Sequence, residues 1–101
     1  MGLFKTTKKK LEECGFKEVQ RGPYAIEFLR LKELSTSNVI DPLFWKEKTD
    51  GPIDREYVTL FFRPSGKREL IFTEGASITD KEMRLFLKLI KEIDLTGGIY
   101  K

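Results

Sequence analysis

The stretch nearest to a recognisable chemistry is FFRPSGKREL, residues 61–70, where Gly66-Lys67 stands among basic residues. A nucleotide-binding phosphate loop has the pattern G-x-x-x-x-G-K-[ST]. Its first glycine lets the backbone curl around phosphate, and the hydroxyl after the lysine holds magnesium. Here Phe61 occupies the first glycine's position and Arg68 the hydroxyl's. The residues that follow favour a strand, so the helix N-terminus that completes such a site is missing as well. Pro64-Ser65-Gly66-Lys67 is better suited to joining two strands, with Gly66 free to take positive φ.

The remaining chemical candidates are few. The chain has no histidine and one cysteine, which removes the usual general base at neutral pH and any zinc site of four nitrogen and sulfur ligands. Asp41, Asp50, Asp54 and Glu56 would need to converge to hold magnesium. They are interleaved with Lys46, Lys48 and Arg55, the composition of a solvated loop. Cys14 reads as buried filler at a helix end rather than a nucleophile. The expectation is a protein without catalysis, metal or cofactor.

Two groups of residues suit binding instead. Lys5, Lys8, Lys9 and Lys10, with Arg63, Lys67 and Arg68 at the hairpin tip, make two basic clusters that a nucleic acid could meet. Phe44 and Trp45, in DPLFW within an irregular stretch, are either lids on the core or anchors for a partner.

The elements that must position these groups follow from spacing. Leu3, Phe4, Thr7, Leu11 and Cys14 share one helical face, and Gly15 suits the C-terminal cap. FKEVQRGPYAIEFLRL predicts two strands about a turn at 21–23; Phe16 and Val19 break strict alternation, as in a short, bulged or edge strand. Residues 32–54 are least regular, with a short strand at 38–41 or a loop pinned by Leu43, Phe44 and Trp45 as the two readings. REYVTLFFR and RELIFTE predict a hairpin of central strands, apolar on both faces and so covered on both. Thr79 and Glu82 form a capping box, with Ile78 and Met83 at the staple positions. Met83, Phe86, Leu87, Ile90 and Ile93 are expected to face the core, which leaves Leu85 and Leu89 on a second apolar ridge, either covered by the long loop or the Ile99-Tyr100 tail or open to a partner or second copy.

At 101 residues, with 40% apolar and 35% charged residues, the chain is expected to be one folded domain. The predicted fold is α+β: an N-terminal helix, a three- to five-stranded mainly antiparallel sheet, and a C-terminal helix packed on it. No apolar run is long enough to cross a bilayer, and no leader of the secretory type opens the chain, so a cytoplasmic location is expected. The functional expectation is a small binding module for a protein partner, as an accessory or inhibitory protein, or for a second copy of itself through Leu85 and Leu89. The alternatives are nucleic-acid binding by the two basic clusters, or a small ligand held at the 32–54 loop or a dimer interface.

Overall fold

Helix α2 (Asp80–Leu95) is where local sequence and packing agree most closely. The Thr79 hydroxyl accepts from the Glu82 amide at 3.1 Å, while the Glu82 carboxylate accepts from the Thr79 amide at 3.0 Å. This reciprocal pair satisfies two of the amide groups that a helix start leaves unpaired. In the computed structural model, residues 6–46 and 52–97 are described. Chain order runs α1 (Thr7–Glu13), β1 (Lys17–Arg21), β2 (Ala25–Glu33), β3 (Val39–Ile40), a 3-10 turn (Pro42–Phe44), β4 (Ile53–Phe62), β5 (Arg68–Phe72) and α2.

The strands form one antiparallel sheet in the order β1-β2-β4-β5, with the short β3 also paired to β2. The predicted α+β architecture is therefore present, with both helices on one face. Regular structure reaches into the stretch expected to be irregular: β2 continues to Glu33 and β4 begins at Ile53. The register between β1 and β2 slips between Glu18 and Gln20, the bulge that absorbs Val19.

Period-two alternation decides which side chains meet the helices. Ile26 and Phe28 of β2, with Val58, Leu60 and Phe62 of β4, point inward and join Leu11, Phe16, Leu85, Phe86, Leu89 and Ile90 in one core. Phe16 and Phe28 each meet Phe86 edge-on, at centroid distances of 5.0 and 5.4 Å. Full burial of each of these rings contributes about 1.5–3 kcal/mol. Gly15 ends α1 at φ +98°, a conformation that glycine adopts without steric cost. The turn lets the Phe16 amide bond back to the Leu11 carbonyl at 3.1 Å.

The expected orientation of α2 requires correction. Leu85 and Leu89 are buried in the core, whereas Leu87, assigned to the core stripe, is 46% exposed. The buried arc is centred on the line Glu82, Phe86, Leu89 and Ile93. Glu82 is 8% exposed, so a carboxylate lies at the middle of the apolar face and hides its true centre from a hydropathy reading. There is no exposed Leu85–Leu89 ridge for a partner or second copy to cover.

Candidate functional site

Alternation places two opposite charges at the same inward position of adjacent strands. Arg30 follows Ile26 and Phe28 on β2, Glu56 precedes Val58 on β4, and the two are register partners. Arg30 is 3% and Glu56 2% exposed. The guanidinium donates to Glu56 Oε1 through Nε and to Glu82 Oε2 through Nη1, both at 2.8 Å. It also reaches the carbonyls of Cys14 and Ser77 and lies 4.3 Å from the Phe16 ring centroid. Glu56 Oε2 accepts from the Ser77 amide and hydroxyl, and Lys32 bonds the same hydroxyl. Burial pushes the Glu56 carboxyl up, but the Ser77 amide and the Arg30 guanidinium outweigh it and hold the carboxyl below its ordinary range. Among the described residues no buried side-chain polar atom lacks a partner. With its donors and acceptors occupied, this cluster ties β2, β4, α1 and α2 together and presents no group to a substrate. Glu56 thus takes a place away from the acids with which it was considered. Asp54 is exposed, Asp41 accepts from the Leu43 amide, and Asp50 lies outside the described residues.

The DPLFW segment divides between lid and surface. Trp45 donates from Nε1 to the Ile40 carbonyl at 3.0 Å, and Lys17 Nζ stands 5.8 Å from its ring centroid. The indole is half-buried against β3, while Leu43 and Phe44 are 82% and 52% exposed. A cleft of about 360 Å³ runs between α1 and this turn, lined by Lys9, Glu12, Glu13, Lys17, Asp41 and Leu43 among others. It borders the 32–54 loop, where a pocket was expected, but opens toward α1. Its mixed charges converge on no single ligand group.

The sheet's second face is the largest departure from expectation. Outward residues of the central strands were expected to lie under a second layer, yet no described element covers most of them. Successive rows across the sheet read Lys17, Leu29, Tyr57; then Glu27, Thr59, Ile71; then Ala25, Phe61, Glu69. Leu29, Tyr57 and Phe61 are half-buried and Ile71 is exposed. The Arg63 guanidinium lies 4.5 Å from the Phe61 ring centroid. Lys17 connects this face to the turn, since it is the register partner of Leu29 and also stands over Trp45. Alternating apolar residues on both sides of β4 were visible in the sequence, but not which side stayed open.

The basic clusters are separated by their pairing. Arg63 bonds Glu69 at 2.7 Å, Lys67 lies 3.8 Å from the same carboxylate, and Arg68 grips Asp94 of α2 with two nitrogens. The hairpin tip is therefore largely offset by acids. Lys8 pairs with Glu18, which also holds Arg21, and Lys5 lies outside the described residues. Lys9 is exposed and Lys10 half-buried on α1. The cations that sequence reading missed are Lys81, Arg84, Lys88 and Lys91, all exposed on α2; their spacing of three, four and three was the available signal. No protein-family model, curated protein or solved structure matches the chain.

Proposed function

We propose that this chain is a small non-catalytic binding module that docks a protein partner on the open face of its sheet. The observation that carries the reading is the run of Leu29, Tyr57, Phe61 and Ile71 in adjacent rows with no described element above them. Contiguous apolar surface of this kind marks interaction sites on soluble proteins. Tyr57 and Phe61 supply large, stiff contact area at low entropic cost. Phe44, next to Trp45 in the 3-10 turn, is a further exposed ring. Lys17 and Glu69, at the ends of their rows on β1 and β5, suit a polar rim, and Glu27 with Thr59 places a polar pair in the middle row.

The test is site-specific photo-crosslinking. A benzophenone side chain at position 61 should form adducts with a protein in cells, and Ile71→Glu on the same chain should suppress them. The same group at Ser65, on the hairpin tip, serves as the control. Crosslinking at 61 no stronger than at 65 overturns the reading, and adducts only to further copies of the chain assign the face to self-association.

A further inference from the structure

The solvent side of α2 is a line of positive charge. Lys81, Arg84, Lys88 and Lys91 follow one another at helical spacing on the side opposite Phe86, Leu89 and Ile93. They span about 15 Å at the helical rise per residue. None forms an ion pair or hydrogen bond with another described residue, whereas Lys8, Arg21, Arg63, Lys67 and Arg68 on the rest of the surface each meet a carboxylate. The acids of α2 are drawn away from the line: Glu82 inward to Arg30, Glu92 to the Thr7 hydroxyl, and Asp94 to Arg68. Asp80 is the exception, exposed one turn before Arg84 on the same side, so the line is most positive from Arg84 onward.

Helix α1 extends the line into a surface. Its Thr7 meets Glu92 near the end of α2, whereas Cys14 lies close enough to Glu82 and Lys81 for their charges to act on its thiol, so the two helices run antiparallel. Lys8 leans toward β1 through Glu18. Helical spacing then puts Lys10 on the flank toward α2 and Lys9 on the outer side. Glu12 and Glu13 sit at the C-terminal end of α1, and of the α1 lysines it is Lys10 that lies on the side of Lys88 and Lys91, while Lys9 lines the cleft beside the 3-10 turn.

From this arrangement we infer that the helical layer binds the phosphodiester backbone of a double-stranded nucleic acid. A duplex presents regularly spaced phosphates along an extended ridge, and a straight line of three lysines and one arginine on a rigid helix matches it by charge. Arg84 is the one side chain of the line with the planar fork that pairs two acceptors of a guanine edge, while the three lysines meet phosphate as point charges. The apolar face of α2 is packed in the core and cannot enter a bilayer, which leaves only surface attraction to lipid. This surface lies on the opposite side of the molecule from the open sheet face, so a protein and a duplex could be held together. The two assignments also stand or fall separately.

Fluorescence anisotropy with a labelled DNA duplex tests it. Binding should weaken about a hundredfold between 50 and 200 mM salt if four phosphates are contacted. Arg84→Glu, Lys88→Glu, Lys91→Glu should abolish binding with an unchanged circular-dichroism spectrum, since all three side chains are exposed. Arg63→Glu, Lys67→Glu at the hairpin tip should leave affinity unchanged. Absence of binding at low salt, or equal binding by the triple variant, overturns the inference. So does capture by phosphatidylserine vesicles without capture by the duplex.

Discussion

Arg30 and Glu56 face each other across β2 and β4 with Nε 2.8 Å from Oε1, and both side chains are almost completely buried. Such a pair is a weak source of net stability, because removing two charges from water offsets most of their attraction. It is nevertheless costly to break. Arg30→Met leaves the Glu56 and Glu82 carboxylates in the interior without their cation. The expected loss in urea unfolding is about 3–5 kcal/mol. Arg30→Met with Glu56→Met and Glu82→Gln should recover most of it, because the one charge then left without its carboxylate is Lys32, whose side chain still reaches solvent. A triple variant as unstable as the single one would show that the hydrogen bonds of the cluster, rather than its charge balance, hold the layers together.

The same cluster sets the acid limb of stability. The Glu56 carboxyl is held below its ordinary value of 4.5 in the folded chain. In the unfolded chain it binds a proton more readily, so the unfolded state takes up more protons as pH falls. Its contribution is therefore complete above about pH 4.5 and is lost as pH falls through the lower folded value. Glu56→Gln should be less stable at neutral pH and should lose less on acidification. Parallel acid limbs for the two proteins would place the titrating group elsewhere.

Alternation in AIEFLRL and YVTLFF, together with the capping box at Thr79, made the hairpins and the start of α2 legible from sequence alone. The Arg30–Glu56 pair was legible by the same rule and was missed. Parity puts Arg30 in line with Phe28 and Glu56 in line with Val58, but a charge at an inward position is discounted until its partner strand is known. That partner is fixed only by register, which joins residues 26 apart in the chain. The open sheet face was not legible, because alternation tells which residues share a side and not which side the helices choose. The basic line on α2 is periodic and local, yet it was hidden by Asp80 and Glu82, which precede or interrupt it in sequence; Glu82 leaves it in space by turning inward to Arg30, while Asp80 stays beside its first turn.

The rotation of α2 gives a comparison between neighbours. Leu85 and Leu89 are each 9% exposed, while Leu87 is 46% exposed. Leu85→Glu, Leu89→Glu should unfold the protein, since two carboxylates would enter the core without partners. Leu87→Glu should change stability by no more than about 0.5 kcal/mol, as expected of a surface site. Circular dichroism distinguishes these outcomes. A folded Leu85→Glu, Leu89→Glu variant would mean that α2 can turn its other face to the sheet.

Two glycines with nearly the same backbone conformation should respond differently to alanine. Gly15 and Gly66 have φ of +98° and +97°, so a side chain at either costs about 1–2 kcal/mol in backbone strain. Nothing lies within 4 Å of a Cβ at Gly66, and Gly66→Ala should cost no more than that. At Gly15 the added carbon would meet Val39 Cγ1 at 2.3 Å and the buried Arg30 stem at 3.2 Å. Valine is stiff about its first torsion, and Arg30 is held by both glutamates, so neither neighbour yields freely. Gly15→Ala should therefore cost about 1–3 kcal/mol more than Gly66→Ala through overpacking. The displacement has a direction, because Val39 is the first residue of β3 and Trp45 is tied to the next residue's carbonyl. Pushing β3 outward should expose the indole, and Trp45 is the chain's single tryptophan. Gly15→Ala should thus red-shift the fluorescence of the folded protein, whereas Gly66→Ala should not. An unshifted Gly15→Ala spectrum with the full stability loss would mean that Val39 turns aside and β3 stays in place.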